Sequence, residues 1–97
     1  MNLGHIIVKF VLPLIESTGK TEFTQLLNNW AKANPVHYTQ VLTGAYPLID
    51  VQLEDYVKTT NTDVDDRLVK DLKEAIESSA KTNGVTLPNL DAGTIND

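Results

Sequence analysis

The sequence predicts an all-α protein: a compact bundle of four to five short helices with an irregular C-terminal tail. Three observations carry that expectation. Between Asp63 and Gly84, residues Val64, Leu68, Leu72, Ala75, Ile76 and Ser79 recur at helical spacing and form one stripe of apolar or small side chains. The chain before them is cut into helix-length segments by Gly19, Asn34-Pro35, Gly44 and Pro47. The one stretch with strand-like composition, near the N-terminus, has no second such stretch to pair with.

The first element is expected over Leu3 to Glu16, capped by Asn2, with Leu3, Ile7, Phe10, Val11 and Leu14 on one face. Ile6, Ile7, Val8 and Val11 are β-branched and suit a strand. Pro13 removes a backbone donor inside the run, so the expectation is a kinked helix. The segment is apolar nearly all round, because Ile6, Val8, Leu12 and Ile15 lie off the first stripe. A helix apolar on every side is either central to a core or covered by a partner.

Ser17 to Lys20 reads as a turn, with Gly19 at a helix C-terminus. A second helix follows over Thr21 to Ala33, with Phe23, Leu26, Leu27, Trp30 and Ala31 at i, i+3, i+4, i+7 and i+8. Asn34 is expected to cap a third helix that opens on Pro35, carries His37, Tyr38, Val41 and Leu42, and stops at Gly44. Tyr46 precedes a proline and should leave helical geometry. Pro47 to Lys58 forms a fourth helix with Ile49, Leu53, Tyr56 and Val57 on one face. The short link Thr59 to Thr62 should return the chain antiparallel, laying the fourth helix beside the fifth. Thr62 or Asp63 is the expected cap of that fifth helix, and Gly84 its end. Residues 1–84 thus read as the helical domain and 85–97 as an irregular, mobile tail in which Val85, Leu87 and Leu90 can tuck against the helices.

Composition narrows the function classes. The chain has 97 residues, one domain's worth, and a formal net charge of −5. Its eight Lys and Arg are scattered, which argues against nucleic acid and against docking on an anionic membrane. There is no cysteine, which removes disulfides, thiol catalysis and Cys-based zinc sites. A membrane-spanning helix needs about 18–20 apolar residues. The N-terminal run is shorter, is interrupted by Lys9 and Pro13, and lacks the basic start of a signal peptide, so it reads as a buried segment.

Four motifs merit weighing. Ser17-Thr18-Gly19-Lys20-Thr21 carries the Gly-Lys-Thr of a phosphate-binding loop, but the first glycine of that motif would fall on Leu14, and Glu16 would put a negative charge in the cradle. A helix end followed by a helix start explains it better. Asn61, Asp63, Asp65 and Asp66 resemble the start of a calcium loop. Counting from Asn61, the sixth and twelfth positions hold Asp66 and Leu72 where glycine and glutamate are needed. Helix capping explains these acids without a metal. His5 and His37 have no acidic neighbour in sequence and no zinc spacing, and no nucleophile elbow appears. His5 reads as partly buried and His37 as a surface or packing residue. Trp30 belongs to the apolar stripe of its helix and is also suited to anchor an interface.

The stretch from Tyr56 through Lys58-Thr59, Asp65-Asp66 and on to Ile76 resembles a segment of small phage-encoded proteins, in which a Lys-Thr turn, a pair of aspartates and a helix end a short all-helical chain. It spans residues 56–76, about a fifth of the chain. The resemblance implies a phage or prophage product acting in virion assembly, lysis or host interaction without catalysis.

The expectation is therefore a non-catalytic protein–protein interaction or assembly module, without cofactor or metal, self-associating or bound to a protein partner. Its candidate contact residues are Ile6, Val8, Leu12, Ile15 and Trp30, and its expected site is the host cytoplasm or the virion. The alternative is a peripheral membrane or lysis-module protein that uses its apolar N-terminal helix.

Overall fold

The computed structural model describes residues 3–88. Among them the structure is mostly helical and contains no strand: α1 (Leu3–Ile6), a π-helical turn (Ile7–Val11), α2 (Leu12–Thr18), α3 (Lys20–Ala33), α4 (Pro35–Ala45), a 3₁₀ turn (Tyr46–Leu48), α5 (Ile49–Thr60) and α6 (Asp66–Thr82). The expected cap at Asn2 and most of the expected tail, residues 89–97, lie outside the described residues.

The N-terminal rod differs from expectation in one consequential way. The π turn sits just before Pro13. An α-helix would place the Pro13 ring against the carbonyl of Lys9 and would miss the bond that Pro13 has no proton to make. Widening the turn relieves both, and Leu12 N–H reaches back five residues to the Ile7 carbonyl. The wider turn inserts one residue into the helical count, a rotation of roughly 100° for everything that follows. The expected inward set of Ile7, Phe10, Val11 and Leu14 becomes Ile7, Val11, Leu12 and Ile15. Ile7, Leu12 and Ile15 are buried and Val11 half-buried, whereas Phe10 is 64% and Leu14 40% exposed. The segment is a core strut, and its strand-like residues are absorbed into a helix because it has α5, α3 and α6 to pack on.

Gly19 separates α2 from α3. Its amide donates to the Ile15 carbonyl at 2.7 Å and its carbonyl accepts from Phe23 N–H at 3.0 Å. One residue thus ends one helix and starts the next, at φ 93° and ψ 156°, a backbone region that only glycine occupies without strain. Asn34 makes a similar bridge through its backbone, from its amide to Trp30 and from its carbonyl to Tyr38 N–H. Its side chain makes no capping bond, contrary to expectation. Pro35 then opens α4, where an amide proton would have had no partner.

Two other local expectations are corrected. Gly44 does not stop α4. The helix runs to Ala45 and tightens into the 3₁₀ turn, and Tyr46 keeps helical angles (φ −53°, ψ −50°) although Pro47 follows it. Its ring is buried and its hydroxyl donates to the Glu77 carboxylate, which holds it in place. Asp65 is the cap of α6: its carboxylate accepts from Arg67 N–H at 2.9 Å, while the Thr62 hydroxyl is taken by Thr60.

α6 is the central strut. Leu72, Ala75, Ile76, Ser79 and Ala80 are buried; the first four belong to the stripe read from the sequence, whose Leu68 is half-buried and whose Val64 precedes the helix. Gly84 (φ 72°) ends it as foreseen, with Gly84 N–H bonded to the Lys81 carbonyl and Val85 N–H to the Ala80 carbonyl. That pair of bonds is a Schellman motif, and Val85 and Leu87 fold back onto the core. The main neighbours of α6 are α3 and α2. The expected α5 neighbour packs chiefly on α1 and touches α6 through the Asp50–Lys73 ion pair. Asn61 in the left-handed region (φ 55°) and the extended Asp65 swing the chain away between α5 and α6.

Candidate interaction surface

The residues singled out on the N-terminal rod divide between core and surface. Leu12 (4% exposed) and Ile15 (2%) lie in the core, so a partner cannot reach them without unfolding the domain. Ile6 and Val8 are half-buried. The slip introduced by the π turn puts Phe10 and Leu14 outside in their place, and constant helical spacing gives no sign of that. Phe10 stands edge-on to the His5 ring at 6.4 Å, and His5 stands edge-on to Tyr56 at 5.8 Å. His5 is exposed, not partly buried as expected, and forms a polar rim beside Phe10. Further large apolar side chains are exposed on the other helices: Leu26 on α3, Val36 and Val41 on α4, Leu48 in the 3₁₀ turn and Val51 on α5.

Trp30 is half-buried and packs against the core. Its ring is set edge-on to His37 at 5.5 Å and to Tyr38 at 5.6 Å, which fixes its orientation. It forms part of the wall of an apolar cleft of about 140 Å³ between the N-terminal rod, α3 and α4. The floor is made by the buried Ile7, Phe23, Leu42, Ile49, Leu72 and Ile76. The rim includes the half-buried Val11, Leu27, Trp30 and Ala45, with Val41 the only exposed residue among those lining the cleft. Val41 therefore marks the mouth. The one lining hydroxyl, that of Tyr46, is engaged by Glu77.

Several charged groups pair across helices. Lys20 Nζ lies 2.8 Å from Glu74 and Lys73 Nζ lies 2.9 Å from Asp50. The hydrogen bond from Lys20, reinforced by its charge, holds the Glu74 carboxyl below its ordinary range, and Glu74 raises Lys20 in return. Lys20 thus pairs with a carboxylate of α6. The Arg67 amide that Asp65 caps holds the Asp65 carboxyl low as well. Among the described residues no three His, Cys, Asp or Glu side chains gather where they could hold a metal ion. No helix of the described residues is long and apolar enough to cross a membrane. Inserting the whole N-terminal rod into lipid would pull Ile7, Leu12 and Ile15 out of the core. No family model, curated protein or solved structure matches the chain.

Proposed function

We propose that this protein is a non-catalytic interaction or assembly module that associates through exposed apolar helix surface, with itself or with a protein partner. The observation that carries this reading is Phe10, a phenylalanine 64% exposed on the same rod that supplies Ile7, Leu12 and Ile15 to the core. Aromatic side chains, Phe among them, are enriched in protein interfaces relative to the rest of the surface. Leu14 lies one helical turn further along the same rod and is 40% exposed. The contact set read from the sequence is accordingly shifted to Phe10 and Leu14, with Ile6, Val8 and Trp30 as half-buried flanks. A phage or prophage origin, in the host cytoplasm or the virion, rests on the resemblance of residues 56–76.

Light scattering across a concentration range tests the self-associating form. The expected result is a mass that rises with concentration and returns to the monomer value in Phe10→Ser. A protein that stays monomeric throughout, and that gives no partner when Phe10 carries a photocrosslinker in the producing cell, defeats the proposal.

A further inference from the structure

We infer that the cleft beside Trp30 is a binding site for a small, uncharged, apolar molecule about the size of one six-membered ring. The cleft opens to the surface at Val41 and measures about 140 Å³. Its floor is Phe23, Leu42, Leu72 and Ile76 with Ile7 and Ile49, and no side chain there offers a hydrogen bond. Water gains nothing in such a space, whereas an apolar cavity of about 150 Å³ accommodates a single benzene ring. Charged or strongly polar ligands would lose their hydration without compensation. The walls are held independently of any occupant: Trp30 is braced by His37 and Tyr38, and Tyr46 is anchored on Glu77. The site is therefore pre-formed, and the mouth at Val41 gives access from the surface. This inference is independent of self-association, since it uses neither Phe10 nor Leu14.

Trp30 is the only tryptophan and lines the cleft, so its emission reports occupancy directly. The test is titration of the folded protein with benzene, followed by Trp30 fluorescence and thermal melting, with benzoate as the charged control. Benzene should shift the emission saturably and raise Tm by about 5–10 °C once it is tenfold above its Kd. Benzoate should do neither. Ala45→Leu fills the cleft from its rim and should abolish the benzene response while Tm holds or rises; Ala45→Val serves if leucine proves too large to fold. A folded wild type with no saturable response to benzene overturns the inference. So does a benzene response that survives in the cleft-filling variant, or an oligomer that benzene dissociates, which would show the cleft occupied by a second copy.

Discussion

Tyr38 Oη and Ser79 Oγ lie 2.6 Å apart in the centre of the protein, and Tyr38 is the donor. The assignment follows from proton counting. Ser79 has one hydroxyl proton and gives it to Asn28 Oδ1 at 2.7 Å. The same oxygen accepts from Asn83 Nδ2 at 2.9 Å, and that amide also reaches the Ser79 carbonyl. A polar chain thus ties α4, α6 and α3 together. Ser79 is fully buried and Tyr38 only 1% exposed, so neither can fall back on water.

The chain makes unequal predictions for its two hydroxyls. Ser79→Ala leaves the buried Tyr38 hydroxyl without an acceptor and should cost about 1–3 kcal/mol. Tyr38→Phe removes one bond but leaves Ser79 bonded to Asn28, and should cost about 0.5–1.5 kcal/mol. The double variant should be little worse than Ser79→Ala alone, because no orphan remains. Urea denaturation of the three variants measures the cycle. Strictly additive losses would mean that the two hydroxyls act independently.

The glycines also separate by conformation. Gly19 has room for a methyl group, with no heavy atom within 4 Å of a built Cβ, but its φ of 93° and ψ of 156° exclude L-residues. Gly19→Ala should destabilise by about 1–3 kcal/mol through backbone strain alone. Gly44 has the same free space at helical angles inside α4. Gly44→Ala should stabilise by roughly 0.5–1 kcal/mol, since alanine restricts the unfolded chain and suits a helix. Thermal melts of the pair would show opposite signs. Equal losses would refute the backbone explanation.

Where local chemistry decided the outcome, the sequence was legible. The α6 stripe, its end at Gly84 and the role of Gly19 follow from spacing and backbone freedom within a few residues. The misreadings arose where tertiary packing outweighed a local rule. A periodicity count assumes the same rotation per residue throughout, so it cannot register the extra residue that Pro13 forces into the π turn. Phe10 and Leu12 therefore exchanged roles. Tyr46 obeys its burial and its bond to Glu77 over the pre-proline preference. The docking of α5 chiefly on α1, more than on α6, depends on the direction in which Asn61 turns the chain. That left-handed residue cannot be told from an ordinary polar link by composition.

Acid sensitivity should trace to Glu74 and Asp65. Each has a folded pKa below its ordinary value, 4.5 for Glu74 and 3.8 for Asp65. Their contribution is complete above those ordinary values and is lost as pH falls through the lower folded ones. Lys20 is raised above 10.5, so its share persists in base and fades only as pH rises through that higher value. Both carboxylates are solvated, so the effect is modest. The Glu74→Gln, Asp65→Asn double variant should lose less stability than the wild type between about pH 5 and pH 2. Asparagine retains the helix-capping oxygen at residue 65. Urea midpoints over that range provide the comparison, and an acid limb of unchanged steepness would assign the sensitivity to other carboxylates.

The π turn makes the sharpest prediction, because it reverses the order of two leucines. A regular helix with the expected stripe would bury Leu14 and expose Leu12. In the structure Leu12 is 4% exposed and Leu14 is 40% exposed. Leu12→Ala should therefore cost about 2–5 kcal/mol, the usual range for truncating a buried leucine. Leu14→Ala should stay within about 0.5 kcal/mol of the wild type, as expected of a surface site. Chemical denaturation resolves a difference of that size easily. If Leu14→Ala proved the more damaging, the helix would have to run without the π turn. Phe10 would then return to the core, and the surface proposed for association would not exist.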